Sequence, residues 1–530
     1  MARQTPVLIC GAGPVGLALA VELGTRGVAC TVIEKNDRVG YAPRAKTTHT
    51  RTREHMRRWG IAGDLTAAAP FGVDYPSDVF FVTRLGGYQL ARIQDAFHCA
   101  PARNELYAEH AQWIPQYRVE EVLKRRAEAL PPVTLLFDHE FLEAQTRDGG
   151  ARCRVRDLKA DADVEFDCRY LVGADGARSA VRDLIGARME GRFGLSHAYN
   201  IVFRAPGLAE RHPHGPGIMY WQINPEAPGL IGPMDRDDLW YFMPMRVPDA
   251  VRLDQAAAAE LIRKATGIDL DYEVLSTDEW SASEFIADRY GDGSVFLVGD
   301  ACHLHPPTGG YGMNLGVSDA VDLGWKLAAM LQGWGGPRLL ASYEAERRPV
   351  HRYVIDAALA NFASLALHLI RPALEEDTEE GAALRQELGE SLLKGRLQEF
   401  RPLGVMLGYR YDTSPITDHE DGPPPDPLRY EPSARPGAVA PHGWLADGRS
   451  LYDLFGQGFT LLAFGDADFG TARADAEALG IPLETARLDE AKFAALYQRR
   501  LALIRPDQHV AWRGDAWPGP AILETSTGRR

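Results

Sequence analysis

Three glycines and a glutamate near the start of the chain have the spacing of a nucleotide-binding turn. Gly11, Gly13 and Gly16 form a G-x-G-x-x-G pattern between an apolar run and a helical pattern, and Glu34 ends the next apolar run. In such turns the first glycine permits the tight turn, the second lets the backbone approach a pyrophosphate, and the third lets helix and strand pack closely. The acid accepts hydrogen bonds from ribose hydroxyls. The segment therefore predicts a dinucleotide site, although this motif alone does not identify the dinucleotide.

Two later segments place an aspartate beside glycine, just after a short apolar strand. Asp175 and Gly176 follow the run Leu171–Ala174, and Asp300 stands at the start of a loop rich in glycine and proline that continues to Asn314. An aspartate in this position can bind a ribitol or ribose hydroxyl, while the glycines admit backbone close to a phosphate or a flat ring. A simple NAD-dependent dehydrogenase would leave both later segments without a role.

The elements that would position these segments follow from hydrophobic periodicity. Val7–Cys10 and Cys30–Glu34 are predicted strands on either side of a helix at Pro14–Leu23, an arrangement typical of α/β dinucleotide-binding folds. Between Ala198 and Met245 the sequence changes to aromatic, turn-punctuated strands, which predict an inserted antiparallel sheet. The three strands of this sheet are predicted at Gly217–Ile223, Gly229–Pro233 and Leu239–Met245.

A chain of 530 residues exceeds the size at which one hydrophobic core keeps growing, so we expect several domains. The nucleotide-binding domain is predicted at 1–185 and 280–410, with a helical segment at 315–410, and the inserted substrate-binding sheet at 186–279. A stretch rich in proline and aspartate predicts a linker at 411–436, and 437–530 is predicted to be a compact unit of alternating strands and helices.

With these motifs in this order, the chain resembles the class A, single-component FAD-dependent aromatic hydroxylases, the family of phenol hydroxylase and para-hydroxybenzoate hydroxylase. The resemblance covers roughly the first 410 residues and implies a Rossmann-like FAD-binding domain. It implies FAD as the cofactor and NADPH or NADH as the co-substrate. It also implies that O2 forms a flavin hydroperoxide, which a phenolic or related aromatic substrate attacks. No second G-x-G-x-x-G follows a strand, so we expect no separate NADPH domain.

The resemblance also implies roles for individual residues. Arg44 is similar to the family arginine that reaches the cofactor phosphates, and Gln116 to the family glutamine near the flavin. Pro306 and Pro307 would stiffen the loop, and the helix beginning near Leu315 would direct its positive end at the flavin pyrimidine. The expected FAD-binding residues are Gly11, Gly13, Pro14, Gly16, Glu34, Lys35, Arg44, Gln116, Asp175, Gly176, Asp300, Pro307, Gly309, Gly310, Gly312, Met313 and Asn314.

The substrate is expected between the inserted sheet and the flavin. Tyr220, Trp221 and Tyr241 lie on strands where this family places ring-lining side chains, although aromatic strand residues are often plain sheet packing. Tyr241 is the first candidate to polarise or deprotonate a substrate hydroxyl, and His49 is a second candidate base. Pro307 completes the expected catalytic set.

Residues 437–530 resemble the thioredoxin-like extension of phenol hydroxylase and of polyketide aromatic hydroxylases. No cysteine lies after Cys302, which excludes thiol redox chemistry in this unit. A scaffold or dimerisation role remains, so a homodimer is one expectation.

The composition limits the classes of partner that we expect. The net charge of −15 argues against a nucleic-acid partner, which requires a basic face. No apolar run approaches the roughly 20 residues that span a bilayer, and no leader pattern precedes the first strand, so we expect a cytoplasmic protein without a membrane partner. The six cysteines lack the spacing of zinc ligands, so we expect no metal. The expected partners are a small aromatic substrate and O2.

Two rival functions have weaker support in the sequence. A flavin-dependent halogenase shares the first glycine motif, but its W-x-W-x-I-P signature is missing, since Trp221–Pro225 lacks the second tryptophan. A non-enzymatic binding module would require the loop Pro306–Asn314 to be vestigial. Neither composition nor motif identifies the substrate, the choice between NADPH and NADH, or the position of hydroxylation.

Overall fold

The computed structural model describes residues 2–37, 45–147, 149–236, 238–245, 247, 253–364 and 370–530. Within these ranges the structure is mixed α/β, in agreement with the fold class predicted from the sequence. None of the helices in the described ranges has the length and apolar character that a membrane span requires.

The strands are β1 (Arg3–Cys10), β2 (Cys30–Glu34), β3 (Thr47–Thr48), β4 (Val79–Val82), β5 (Gln89–Ile93), β6 (Gln112–Trp113), β7 (Val133–Phe137), β8 (His139–Arg147), β9 (Gly150–Asp157), β10 (Ala162–Gly173), β11 (Met189–Arg204), β12 (Met219–Gln222), β13 (Gly229–Pro233), β14 (Leu239–Pro244), β15 (Glu273–Ala287), β16 (Gly291–Asp292), β17 (Val295–Leu297), β18 (His303–Leu304), β19 (Phe459–Phe464), β20 (Leu483–Leu488), β21 (Leu501–Ile504) and β22 (Val510–Gly514).

The α-helices are α1 (Pro14–Thr25), α2 (Thr50–Arg58), α3 (Ala62–Ala67), α4 (Gln116–Glu128), α5 (Ala180–Leu184), α6 (Leu208–Arg211), α7 (Gln255–Thr266), α8 (Gly312–Leu331), α9 (Ala341–Ala363), α10 (Glu379–Phe400), α11 (Leu403–Met406), α12 (Ala472–Leu479), α13 (Ala491–Tyr497) and α14 (Ala521–Ser526).

The first sheet is built around parallel strands, as the first forty residues predict. Its order is β16-β17-β10-β1-β2-β7, with β8 and β9 attached beside β10. The pairs β1–β2, β1–β10, β2–β7 and β10–β17 are all parallel. Val7, Leu8 and Ile9 are fully buried, as expected for a central strand covered on both faces. The predicted strand–helix–strand unit is therefore confirmed, with α1 starting at Pro14 in its first turn.

The second sheet is larger than the predicted insertion. Its order is β18-β15-β11-β14-β13-β12-β4-β5, and its described pairs are antiparallel except β12–β4. The long strands β11 and β15 pair along most of their length, and all three predicted strands are present as β12, β13 and β14. However, β4, β5 and β18 come from outside the predicted range 186–279. The sheet is thus shared with segments predicted to belong to the nucleotide-binding domain, because strand pairing is set by long-range contacts.

Each face of the second sheet buries a different set of side chains, because successive strand residues point to opposite faces. One set packs with the helix α7 and forms the outer face: Phe80, Ile201, Phe203, Tyr220, Ile231, Trp240 and Phe242. The other set forms the inner face: Val79, Phe81, Val202, Met219, Trp221, Leu230, Tyr241 and Met243. Helix α10 packs on the same side as the inner face, and a Cβ at Gly389 would overlap the carbonyl oxygen of Leu90 on β5.

The last hundred residues form a third sheet of order β20-β19-β21-β22, in which β19–β20 is parallel and the other pairs are antiparallel. Buried charges attach this unit to α8 and α9. The Arg505 guanidinium donates to Glu346 at 2.5 Å and to Asp507 at 2.6 Å, and Lys326 donates to Glu346 at 2.5 Å and to Asp322 at 2.7 Å. All five side chains are at most 2% exposed.

Arg505→Met is expected to lower the free energy of unfolding by about 3–5 kcal/mol, because it leaves buried carboxylates without their guanidinium partner. Urea denaturation followed by circular dichroism measures this change. The control is Arg500→Met: Arg500 pairs with the exposed Asp466, so its loss is expected to cost less than about 1 kcal/mol. Equal losses in the two variants would contradict a role for the buried network in joining the C-terminal unit.

Candidate active site

The carboxyl ends of β1, β2, β10 and β17 lie along one edge of the first sheet, which we call the carboxyl edge. Gly11, Glu34, Asp175 and Asp300 follow or end these four strands, so the parallel pairing brings the predicted motifs together. Ligands of open α/β sheets bind outside this kind of edge. The amide of Gly11 donates to the Ile33 carbonyl at 2.8 Å, which holds the first turn close to the second strand.

The three glycines of the first motif meet three different requirements. Gly11 has φ +106°, and a Cβ there would overlap the carbonyl oxygen of Ala174. A Cβ at Gly16 would overlap the carbonyl oxygen of Gly11, so the helix can approach the strand only without a side chain. At Gly13 nothing lies within 4 Å of the position of a Cβ. The backbone at Gly13 is therefore open to a ligand.

Two long helices begin side by side at this edge. A Cβ at Gly316 of α8 would overlap Val15 of α1, and a Cβ at Gly324 would lie 2.6 Å from the Cγ atom of Glu22. These contacts show that α1 and α8 run in the same direction in close contact. The first N–H groups of a helix have no partner within the helix, and the helix dipole is positive there. Two positive helix ends therefore point to the same side, where they suit anionic or electron-rich groups of a ligand.

Two carboxylates lie beside these helix ends. The Asp175 Oδ2 atom accepts from the Val181 amide at 3.2 Å, whereas its Oδ1 atom is buried without a hydrogen-bond partner among the described residues. The Glu34 Oε2 atom accepts from the Ala12 amide at 3.0 Å. A buried, unpaired carboxylate oxygen is costly, so it indicates a missing donor such as a ribitol or ribose hydroxyl. The unpaired oxygen and the open backbone at Gly13 both fit FAD.

The positions of the other expected FAD-binding residues give less specific support for a cofactor contact. Asp300 and Lys35 are exposed, and Gly176 has φ +79° in the turn after Asp175. Gln116 is the first residue of α4, and its Nε2 atom donates to Glu120 at 2.8 Å. Arg44 lies outside the described residues.

The loop between β18 and α8 contains a tight turn. The Gly310 amide donates to the Pro307 carbonyl at 3.0 Å, and Gly309 and Gly310 have φ +84° and +67°. A Cβ at Gly309 would overlap the ring of Tyr311, so this position requires glycine for two reasons. Pro307 is exposed, while Thr308 is buried and donates to the Ala358 carbonyl at 2.7 Å.

The Asn314 carboxamide fastens this loop to the strand β3 and the helix α2. Its Nδ2 atom donates to the carbonyls of Thr47 at 3.0 Å and Gly310 at 2.8 Å. Its Oδ1 atom accepts from the His49 amide at 2.8 Å and the Thr52 hydroxyl at 2.7 Å. All four hydrogen-bonding positions of the side chain are used within the protein. Any contact of Asn314 with FAD therefore falls to its backbone amide in the first turn of α8.

His49 is held in the same network. Its Nε2 atom lies 2.8 Å from the Gly309 carbonyl, and its ring stacks on Tyr311 at 5.7 Å between centroids. Burial lowers the pKa of His49 to about 4, so the ring is neutral at physiological pH and its Nε2–H donates to the carbonyl. This geometry favours an anchoring role over the role of a base expected from the sequence.

Side chains of α10 connect this loop to the inner face of the second sheet, and we call the region between the loop and that face the cleft. Phe97 joins the two sides: its ring centroid lies 5.9 Å from that of His49 and 5.3 Å from that of Phe400 on α10. Phe97 adopts φ +61°, a left-handed conformation that is strained for a bulky residue. The ring contacts of Phe97 with His49 and Phe400 compensate for this strain.

The structure separates the three predicted substrate residues. Trp221 and Tyr241 are on the inner face, but Tyr220 is on the outer face, where it stacks on Phe80 at 5.3 Å and donates to the Gly215 carbonyl at 2.6 Å. Tyr220 is therefore removed from the candidate cleft. The physical reason is strand alternation, which prevents two successive residues from facing the same side.

Tyr241 is unsuited to accept a proton. It is fully buried, its hydroxyl donates to the Ile218 carbonyl at 3.3 Å, and burial raises the pKa of Tyr241 far above its ordinary value. The Lys46 Nζ atom lies 3.8 Å from the centre of the Tyr241 ring, as in cation–π pairs. Tyr241 thus forms part of the wall of the cleft and holds Lys46 over its ring.

Sequence reasoning missed the contribution of α10. The Glu399 Oε1 atom accepts from the Gly309 amide at 3.2 Å, and the Glu399 Oε2 atom lies 2.5 Å from the Arg396 Nη2 atom. The Arg396 guanidinium lies 4.7 Å from the centre of the Trp221 ring. This ion pair therefore bridges the loop and the inner face. Nothing in the local sequence marks it, because Glu399 follows Gly309 by 90 residues.

Behind the loop, Cys302, His303, Asp319 and His351 could group their ligand atoms within 4.8 Å. The Asp319 carboxylate already accepts from His303 at 3.0 Å, from His351 at 2.8 Å and from the Arg347 guanidinium at 2.7 Å. Burial alone would raise the pKa of Asp319, but His351 and Arg347 hold it well below its ordinary value. Because Arg347 already supplies a buried positive charge, this cluster favours a structural role over cation binding.

Comparisons with known proteins agree with this geometry. The FAD binding domain family matches residues 4–358, and the aromatic-ring hydroxylase C-terminal family matches residues 433–529. Aklavinone 12-hydroxylase DnrF of Streptomyces peucetius is 35% identical over 469 residues, which cover 86% of this chain and 91% of that protein. The 2,4-dichlorophenol 6-monooxygenase of Delftia acidovorans is 31% identical over 574 residues, covering 97% and 95%. The structure of the rebeccamycin biosynthetic enzyme RebC with reduced flavin matches with a TM-score of 0.92 at 35% identity over 100% of both chains.

Asp175→Asn is expected to weaken FAD binding by about 10- to 100-fold, because a charge-assisted hydrogen bond contributes about 1.5–3 kcal/mol. Fluorescence titration of apoprotein with FAD measures the dissociation constant. Asp163→Asn, an exposed aspartate paired with Arg154 and Arg156 at the far end of β10, is the control and should leave FAD binding unchanged. An unchanged constant in Asp175→Asn would remove Asp175 from the site.

Acid should destabilise the protein partly through His49. Its pKa is near 6.5 when unfolded and about 4 when folded, so between these values the unfolded chain binds the proton and the folded chain does not. The stability contribution of the neutral ring is present above pH 6.5 and is lost as pH falls toward 4. Between about pH 7 and pH 5 this amounts to about 2 kcal/mol.

The measurement is urea denaturation of the wild type and of His49→Asn at both pH values. The variant should lose about 2 kcal/mol less than the wild type between them, whatever its stability at neutral pH. His419→Asn, at an exposed position, should lose as much as the wild type. An equal pH-dependent loss in His49→Asn and the wild type would contradict the buried neutral state of His49.

Proposed function

The chain belongs to the class A FAD-dependent aromatic hydroxylases, and from this premise we propose that it hydroxylates a phenolic or related aromatic compound, using NADPH or NADH and O2. The observation that carries the proposal is the position of the loop Pro306–Asn314. The loop leads from the carboxyl edge, which fits FAD, to an aromatic inner face. A flat ring held at this loop would meet a flat substrate held on that face.

When bound, FAD that has been reduced by the nicotinamide nucleotide supplies the activation of O2 for transfer of one oxygen atom to an aromatic carbon. The residues of the chain hold and shield this cofactor. Gly11, Gly13 and Gly16 with the first turn of α1 would hold the pyrophosphate, and Glu34 and Asp175 the hydroxyl groups. The first turn of α8 would present its amides to the flavin edge.

The apolar lining of the cleft would keep water away from the reacting atoms. Phe97, Phe400 and Trp113 are buried in the same apolar cluster as the inner face, so an aromatic substrate can replace water there. Of the three substrate contacts predicted from the sequence, Trp221 is retained. Tyr241 contributes to the wall of the cleft. We propose that His49 positions the loop rather than transferring a proton, since its Nε2–H is already donated to Gly309.

We further propose that the C-terminal unit is a thioredoxin-like scaffold without redox chemistry. Its mixed sheet is flanked by short helices, and it contributes Arg505 to the buried network beneath α8. In this role it would stabilise the helix whose first turn faces the flavin. In a homodimer, a second copy of the chain would contact the surface of this C-terminal unit.

A panel of phenols and polycyclic phenols tests the function. In the purified, FAD-loaded protein, at least one aromatic compound is expected to accelerate oxidation of NADPH or NADH by tenfold or more and to yield a product with one added oxygen atom. With isotopically labelled O2, mass spectrometry should find the label in that product. The control omits the aromatic compound. Nucleotide oxidation that no aromatic accelerates, or a product without label, would contradict the proposal.

A further inference from the structure

Two of the six cysteines lie side by side in the first sheet. The Cys153 Sγ atom on β9 and the Cys168 Sγ atom on β10 are 3.9 Å apart, which is within hydrogen-bonding distance for sulfur. All six cysteines are free thiols in the described ranges, and no other two of them are joined by a hydrogen bond there. Neither thiol of the pair has a role in the proposed hydroxylase reaction, so their contact requires a separate explanation.

The register of the sheet accounts for this contact. The strands β9 and β10 are antiparallel, Cys153 stands opposite Phe166, and Cys168 follows Phe166 by two residues. Residues two apart on a strand point to the same face, so both thiols project from one face of the sheet as diagonal neighbours. Backbone pairing therefore holds the two sulfur atoms together, and only a small approach separates them from a covalent bond.

The two thiols differ in acidity and in exposure. The hydrogen bond from the Cys153 thiol lowers the pKa of Cys168, whereas the same hydrogen bond, together with burial, raises the pKa of Cys153. Cys153 is fully buried, while 7% of Cys168 is exposed. The thiolate is the form of cysteine that attacks an oxidant, so Cys168 is the more reactive member of the pair.

The other four cysteines have a different environment. They are at most 5% exposed, and burial raises the pKa of each thiol: Cys10, Cys30, Cys99 and Cys302. Buried cysteines of this kind stay protonated at neutral pH and react slowly. They serve as internal controls for the reactivity of the pair within the same molecule.

We propose that Cys153 and Cys168 form a redox modification site, which hydrogen peroxide converts to a disulfide between β9 and β10. Hydrogen peroxide is small and uncharged, so it can reach a sulfur atom in a side chain that is only 7% exposed. The disulfide would lock β9 onto the strand that leads to Asp175 at the carboxyl edge. This inference goes beyond the proposed function and does not depend on it.

The oxidation proceeds in two steps. The Cys168 thiolate first attacks one oxygen of the peroxide, the O–O bond breaks, and the second oxygen leaves as hydroxide, which takes up a proton to become water. Cys168 is then a sulfenic acid. The Cys153 sulfur attacks the Cys168 sulfur, the S–O bond breaks, and a second water leaves with the proton of Cys153. Two thiols have lost two electrons in total, and one peroxide has been reduced to two water molecules.

Peptide mass spectrometry tests the site. Hydrogen peroxide in small excess is added to the purified, FAD-loaded protein under native conditions, and the remaining thiols are then alkylated in denaturant. A cross-linked pair of peptides that contains Cys153 and Cys168 is expected, and dithiothreitol should reverse the cross-link. The number of alkylated thiols should fall from six to four, because only the pair is lost. Cys168 should react at least about tenfold faster than any of the other four cysteines.

Three single variants separate the roles of the two thiols. Cys153→Ser keeps a hydrogen-bond donor beside Cys168 but removes the second thiol, so peroxide should leave Cys168 as a sulfenic acid that dimedone labels. Cys168→Ser removes the attacking thiol, so Cys153 should remain fully alkylated. Cys30→Ser on β2 is the matched control, because Cys30 is buried without a thiol partner, and it should form the disulfide at the rate of the wild type.

Six alkylated thiols in the wild type after peroxide treatment would overturn the site, as would loss of all six thiols at one rate. A disulfide between two chains, or oxidation of Cys168 without a cross-link to Cys153, would also overturn it. The cross-link is sought in the wild type, so the test holds even if a serine variant fails to fold. The proposed function is judged separately, by labelled O2 in the products of the phenol panel.

Discussion

One buried carboxylate, Asp319, connects the parts on which the candidate site depends. Its Oδ2 atom accepts from the Gly299 amide just after β17 and from His303 of β18, which leads into the loop, and its Oδ1 atom accepts from Arg347 and His351 of α9. The first sheet, the loop, α8 and α9 thus meet at one charge. A buried carboxylate is tolerable only when it is paired and hydrogen-bonded, so this arrangement holds all four elements in one geometry.

Several backbone groups of the loop beside this carboxylate are already hydrogen-bonded within the protein. The Gly309 carbonyl accepts from His49, the Gly309 amide donates to Glu399, and the Gly310 carbonyl accepts from Asn314. The free donors are the first amides of α8, which the helix itself cannot satisfy. We propose that these amides recognise a flat cofactor ring, while side chains of the loop region fix the shape of the turn. The protein supplies position and electrostatics, and the cofactor supplies the redox chemistry.

Much of the carboxyl edge could be predicted from the sequence, because its determinants are local. A glycine at a positive φ, a glycine beneath a helix and an acid after an apolar strand are each specified within a few residues, as Gly11, Gly16 and Asp175 illustrate. The cleft was harder to predict. Tyr220 and Trp221 both suit a strand, and only the orientation of the sheet decides that Trp221 faces inward. The rule of strand alternation could have excluded one of the two from the start.

The role of α10 could not be read from the sequence, since Arg396 and Glu399 reach the loop only through long-range packing of α10 against β5. We propose that FAD lies along the carboxyl edge with its flavin between the first turn of α8 and the inner face. A crystal structure of the FAD-loaded protein with an aromatic ligand tests it most directly. The pyrophosphate is expected at Gly13, the flavin pyrimidine at the first turn of α8 and the ligand against Trp221. Flavin density elsewhere, or a ligand on the outer face beside Tyr220, would contradict it.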